Sequence, residues 1–290
     1  MDGKSELLEA VKNNDLESIR YLLEQGANLH ADDDKVLGLA AGYGHLEIVK
    51  YLLERGANLH SDNDRALREA AENGHLEVVK YLLEQGADLH ADDDRALQLA
   101  ALNGRLETVK YLVEQGVNVH SESGIALQYA ADRGHLEVVK HLVEQGANLH
   151  ADKDDALRIA AYHGHLKVVK YLVERGANLH AVDDYAVRSA ASKGHLDVVK
   201  YLLEQGADSD RIYREDLIKF FTSYDLQIEK ITPRLSSIIL KIKCLNTPCK
   251  KSRRNKILSS YKKKMIFSLF ILMYRIYYRP GGPGYFRAIE

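Results

Sequence analysis

The chain has 290 residues, 46% hydrophobic and 28% charged, with a formal net charge of −2. That balance is ordinary for a soluble protein, and two cysteines, Cys244 and Cys249, are too few for a disulfide framework. No apolar run opens the sequence, so no signal peptide is expected; an intracellular and chiefly cytoplasmic location follows as the default expectation. The small net charge conceals an asymmetry. Residues 1–210 hold 22 Lys and Arg against 37 Asp and Glu, a balance of −15, whereas 211–290 hold 18 against 5, a balance of +13.

A period of 30 residues runs through the acidic part. Gly56, Gly86, Gly116, Gly146, Gly176 and Gly206 mark it, as do His30, His60, His90, His120, His150 and His180. A fixed period of this size signals a solenoid, in which each unit buries its apolar side only against the next. Residues 1–30 keep the register through Leu7, Ala10, Leu16, Tyr21, Gly26 and His30, with a more polar turn at Lys12-Asn13-Asn14-Asp15, and read as an N-terminal capping unit. Residues 31–210 read as six full units.

The unit Ala91 to His120 shows the local logic. Asp94 is expected to N-cap a helix starting at Arg95, with Leu97, Leu99, Ala100 and Ala101 on its inner side and Gly104 ending it. A second helix follows from Leu106, with Leu106, Val109, Leu112 and Val113 as its apolar stripe and Gly116 as its stop. Paired alanines such as Ala70-Ala71 and Ala130-Ala131 keep one side of every first helix thin, so neighbouring helices can approach closely.

Ala70 to Asp88, reading AAENGHLEVVKYLLEQGAD, and the matching runs of the other units resemble the ankyrin repeat over roughly the first 210 residues. The resemblance implies an all-α, helix–turn–helix solenoid and a non-catalytic role in binding proteins. Two departures stand out: the unit is 30 residues instead of the usual ~33, and the family's Thr-Pro-Leu-His start is replaced by runs such as Arg65-Ala66-Leu67-Arg68. Short inter-repeat loops follow. Units of this length are similar to those of ankyrin proteins of giant DNA viruses.

Beyond 210 the register continues through Leu217, Leu226 and Lys230, with Phe220-Phe221 where Ala-Ala stood. Residues 211–232 therefore read as a degenerate C-terminal capping unit ended by Pro233. Residues 233–290 read as a basic and apolar tail, expected to be poorly ordered. Lys250-Lys251-Ser252-Arg253-Arg254 is basic, and Met265 to Tyr274 is apolar but too short to span a bilayer. Residues 250–278 thus allow weak contact with an anionic membrane or with nucleic acid, and the same basic run allows nuclear import.

The repeated histidines lie about one helix diameter, ~10 Å, apart along the stack, too far to share a metal ion. A structural role is expected for them, such as bonding loop backbone across the repeat boundary. The series His45, His75, His135, His165 and His195 opens the second helices with equal regularity. Triads such as Asp92-Asp93-Asp94 lack the alternation of a calcium loop and read as N-caps within an acidic turn. No motif for cofactor, metal or small-molecule substrate occurs, and catalysis needs an asymmetric constellation that repetition does not supply.

Comparison of the units with one another locates the variable positions. Lys35, Arg65, Arg95, Ile125, Asp155 and Tyr185 form one set; Gly42, Glu72, Leu102, Asp132, Tyr162 and Ser192 a second; Tyr43, Asn73, Asn103, Arg133, His163 and Lys193 a third. The first two sets lie two helical turns apart and share a side. The resemblance places that side on the concave groove, where ankyrin proteins hold a partner protein, here unidentified. Ile125, Tyr129, Leu102, Tyr162 and Tyr185 are expected to be exposed there as anchors.

Overall fold

A computed structural model of the chain describes residues 3–208 other than 33 and 120–123, together with Ile212. The chain divides into two units, Met1–Ser223 and Tyr224–Glu290, and every described residue falls in the first. The tail and all of the expected capping unit 211–232 except Ile212 lie outside the described residues; Ile212 is buried and joins the core.

Fourteen helices and no strand occur among the described residues. They come in pairs: α1 (Gly3–Lys12) with α2 (Leu16–Glu24), α3 (Lys35–Gly42) with α4 (Leu46–Glu54), and α5 (Arg65–Asn73) with α6 (Leu76–Glu84). There follow α7 (Ala91–Leu102) with α8 (Leu106–Glu114), α9 (Ile125–Asp132) with α10 (Leu136–Glu144), α11 (Ala151–His163) with α12 (Leu166–Glu174), and α13 (Ala181–Lys193) with α14 (Leu196–Glu204). The first helices pack closely on one another along the stack, whereas the second helices approach far less. The alanine pairs explain the difference. Ala70, Ala71, Ala100, Ala101, Ala130 and Ala131 are fully buried, and a methyl group is all the space between those helices admits.

The core repeats with the sequence. Leu37, Leu67, Leu97, Leu127 and Leu157 of the first helices meet Leu52, Leu82, Leu112, Leu142 and Leu172 of the second, all buried. Each such leucine removed from water contributes roughly 1.5–3 kcal/mol. Thr108 is buried where other units carry Ile48, Val78 or Val138, and Leu106 and Val113 are only partly covered.

The aspartate triads do not cap helices. Asp34 and Asp64 make no side-chain cap bond, Asp94 lies inside α7, whose N-cap is His90, and residues 62–64, 92–94, 152–154 and 182–184 are left-handed throughout, with φ between 45° and 61°. Three consecutive left-handed residues cost about 1–2 kcal/mol each for most side chains, and Asp and Asn tolerate the region best. That conformational demand explains why the triads are so rich in Asp and Asn. Side chains from the following helix tie the turn down. Arg158 Nη2 donates to the Asp152 carbonyl at 3.0 Å, Arg188 Nη2 to that of Val182 at 3.1 Å, and Gln98 Nε2 to that of Asp93 at 2.7 Å. Arg68 does the same to Asp62.

The last aspartate of each triad is a clamp. His30, His60, His90, His150 and His180 donate from Nδ1 to Asp34, Asp64, Asp94, Asp154 and Asp184 at 2.7–3.1 Å. The same carboxylates accept backbone N–H groups of the next loop along the stack: Asp64 from Asp88 at 3.0 Å, Asp154 from Asn178 at 2.8 Å and Asp184 from Asp208 at 2.9 Å. The ring bond thus crosses the unit boundary to a side chain, while the bond to loop backbone is made by the aspartate partner, within the same 30-residue unit. In the fourth repeat Gly124 replaces the clamp aspartate, and a Cβ there would lie 2.6 Å from that of Ala151. The preceding Asp94 is 23% exposed at its side chain, against 5–7% for its four equivalents.

Candidate functional site

The second histidine series shapes the turn between the two helices of each pair. His75, His135, His165 and His195 donate from Nε2 to the carbonyls of Gly42, Leu102, Asp132 and Tyr162, at 2.8–3.1 Å, in each case into the preceding repeat. Their rings lie against Gly44, Gly104, Gly134 and Gly164. Gly134 shows why glycine stands there: its φ is +73°, and a Cβ would meet the His165 ring at 2.6 Å. Arg105 takes the histidine's place in the third repeat and keeps the bond, donating from Nε to the Glu72 carbonyl at 3.1 Å. His45 faces the N-terminal unit instead, where its Nε2 is buried without a well-formed hydrogen bond. Burial pushes its pKa down, opposed by the Lys12 backbone and reinforced by His75.

The variable positions fall on the side of the first helices turned away from the alanine pairs. They are less exposed than expected. Leu102, Ile125, Tyr129, Tyr162 and Tyr185 are half-buried, and each of the three tyrosine rings lies under a cation. Among the described residues the exposed large apolar side chains are Tyr21, Tyr43 and Val182 instead. Tyr185 lies between two guanidinium groups, with Arg158 and Arg188 at 5.6 and 5.7 Å from its ring centroid. Arg95 stands 5.9 Å over the Tyr129 ring and 3.4 Å from its hydroxyl.

The charged members are paired as well. Arg65 holds Glu69 at 3.3 Å and covers Gly38. Asp155 binds Arg158 at 2.6 Å, and burial raises the pKa of its carboxyl against the opposing pull of Arg158. Asn73 and Asn103 donate from Nδ2 to the carbonyls of Glu69 and Leu99, each at 3.0 Å, and so finish their helices. Lys35 is half-buried, Glu72 half-buried, and Asp132, Arg133, His163 and Lys193 form a connected group at the turn edge.

The structure adds a middle row to the stripe. Leu39, Glu69, Leu99, Tyr129 and Ile159, one helical turn after the first set, are half-buried on the same side. Sequence reading put Leu99 inside; the signal that places it on the stripe is its spacing of four from Arg95 and three from Leu102. No group of three or more potential metal ligands and no helix long and apolar enough to cross a membrane occurs among the described residues.

The ankyrin repeat profile, described as "Ankyrin repeats (3 copies)", matches residues 7–93, 89–153 and 127–213. Among solved structures, the crystal structure of the human ASB11 ankyrin repeat domain is similar, with a TM-score of 0.54 and 28% identity over 59% of this chain and 84% of that one. A search of curated proteins found no match. Ankyrin repeats generally mediate protein–protein interaction, and the fold is typically a non-catalytic binding module. With repeats matched across residues 7–213, the helix pairs stacked in register and the Gly-His turns latching each pair to the last, the chain belongs to the ankyrin repeat family.

Proposed function

We propose that this protein is a non-catalytic scaffold or adaptor that holds a partner protein on the concave side of its stack, taken as the exposed stripe of the first helices. The observation that carries this reading is a division of labour inside the repeat. Packing positions hold the same residues unit after unit, as Leu67, Leu97, Leu127 and Leu157 do, and both histidine series serve the stack. The stripe changes character, from Lys35, Arg65 and Arg95 through Ile125 and Asp155 to Tyr185. Stacking makes no such demand; a partner that differs along its length does. Residues 250–278, on which membrane or nucleic-acid contact would depend, lie outside the described residues.

The test is charge reversal on the stripe. Lys35→Glu, Glu72→Lys and Ser192→Arg together, in the full chain, are expected to abolish cross-linked partner complexes in the native host cell while helical circular dichroism and melting stay unchanged. Glu54→Lys, Glu84→Lys and Glu114→Lys, at the ends of the second helices, are expected to leave capture intact. The opposite pattern would put the partner on the other side of the stack.

A further inference from the structure

The edge formed by the turns between first and second helices changes character halfway along the stack. In the first three repeats it carries Tyr43, Glu72, Asn73, Asn103 and Arg105, the last bound through Nε to the Glu72 carbonyl, beside Glu47, Glu77 and Glu107 in the first turns of α4, α6 and α8. In the next three it carries a connected run of side chains. Arg133 Nε lies 3.3 Å from Asp132, Asp132 lies 2.9 Å from His163 Nε2, the His163 and Tyr162 rings meet edge to face at 4.9 Å, and Lys193 Nζ stands 4.5 Å from the Tyr162 ring centroid. The run crosses α9, α11 and α13 and remains open to solvent, with Arg133 62% and His163 43% exposed at their side chains.

One substitution sharpens the contrast. Glu47, Glu77, Glu107 and Glu137 each hold the lysine three residues on at 2.7–2.8 Å. In α12 that position is Lys167, exposed and without an ion pair to any described residue. Arg133, Lys167 and Lys193 therefore line one edge; of the acids there, Asp132 is engaged by Arg133 and His163, Glu137 by Lys140, and Asp197 accepts the Val198 N–H.

We propose that this edge of the last three repeats docks an extended acidic segment of a partner protein, its carboxylates meeting Arg133, Lys167 and Lys193 in turn beside the Tyr162 ring. Arg133 and Lys193 hold equivalent positions two repeats apart, ~16–20 Å at ~8–10 Å per stacked helix, with Lys167 in the repeat between them; an extended chain rises ~3.3 Å per residue, so acids at about every third residue supply one per repeat. A nucleic-acid strand fits less well: strong phosphate binding uses roughly 6–10 contacts, and Asp132, Glu137 and Asp197 border this edge. The proposal rests on the protein-binding reading above; it shares Asp132 and Tyr162 with that stripe but concerns the turn edge and a stated chemistry.

The experiment is fluorescence anisotropy on the full chain, with a labelled 12-residue peptide carrying Glu at every third position and a Gln counterpart as control. Wild type is expected to bind the Glu peptide at least about tenfold more tightly than the Gln peptide. Arg133→Glu, Lys167→Glu and Lys193→Glu together are expected to remove that preference. Lys167→Glu alone, which only restores the residue of the other repeats and so leaves folding intact, is expected to weaken binding about threefold. A photo-cross-linker in the peptide is expected to label residues 132–137, 162–170 and 192–197. Unchanged affinity in Lys167→Glu and the triple variant, labelling confined to residues 233–290, or tighter binding of a single-stranded oligonucleotide at the same edge would each overturn the proposal. Because the assay needs no cellular partner, its failure leaves the first-helix reading standing, and failure of that reading leaves this edge standing.

Discussion

His165 Nε2 donates to the Asp132 carbonyl at 2.8 Å across 33 residues of sequence, and its ring rests on Gly134. One side chain thus satisfies a helix-terminal carbonyl of the preceding repeat and fills the space a Cβ would take. His165→Ala is expected to cost roughly 1–3 kcal/mol, since the half-buried carbonyl loses its donor. Gly134→Ala is expected to cost at least as much, through a positive φ and a clash with the ring. Urea unfolding checks both; wild-type midpoints would remove the latch.

Asp154 makes a different kind of bond, from its own loop to the next one along the stack. Its buried carboxylate takes the His150 ring at 2.9 Å and the Asn178 N–H at 2.8 Å. Asp154→Leu is expected to destabilise by roughly 1–3 kcal/mol, leaving a buried donor unsatisfied. Asp154→Asn, which keeps a carbonyl acceptor and a side chain suited to left-handed backbone, is expected to cost less than half as much. Equal losses in the two variants would argue that shape alone matters there.

Val182 stands at φ +52°, a region where a β-branched side chain is strained and Asp or Asn is tolerated. The equivalent positions are Asp62, Asp92 and Asp152, and the Val182 side chain is exposed, so it has little packing to lose. Val182→Asn is expected to raise stability by about 0.5–1 kcal/mol, read as an increase in melting temperature at unchanged circular dichroism. A lower melting temperature would mean that the turn is not left-handed in solution.

Tyr185 is expected to contribute to the stack and not only to the surface. Removing it by Tyr185→Ala strips the cover from Arg158 and Arg188, two guanidinium groups that each also hold a left-handed turn. A loss of roughly 1–2 kcal/mol is expected from the two cation–π contacts and the buried ring area. Tyr185→Phe, which keeps the ring, is expected to stay near wild type. Thermal unfolding of both variants decides.

His45 gives the stack a pH dependence with a definite sign. Burial holds its folded pKa below the ordinary 6.5, so the unfolded chain binds the proton more readily. Its contribution is full above pH 6.5 and is lost as pH falls from there through the folded value. His45→Gln is therefore expected to flatten the stability–pH curve on the acid side of neutrality. An identical curve in the variant would show that His45 does not titrate with unfolding.

The sequence by itself determined the period, the helix pairs, the glycine stops and the alanine seam, because these follow from short-range rules of propensity, spacing and steric size. It also located the three sets of variable positions, since a repeat protein carries its own internal comparison. Tertiary structure decided what the polar repeats do. Read along the chain, Asp94 or Asp154 looks like a helix cap; in the stack each closes a left-handed turn on the last histidine of the preceding unit, and Asp154 also holds the Asn178 N–H of the next loop. Read along the chain, Tyr185 looks like a free anchor; in the stack Arg158 reaches it from the preceding repeat and Arg188 from its own. The bonds between successive loops and repeats join residues 24 to 34 positions apart, and no local pattern encodes them. They exist only once the alanine seam has brought neighbouring helices to contact distance, so partner, strength and burial are properties of the packed stack.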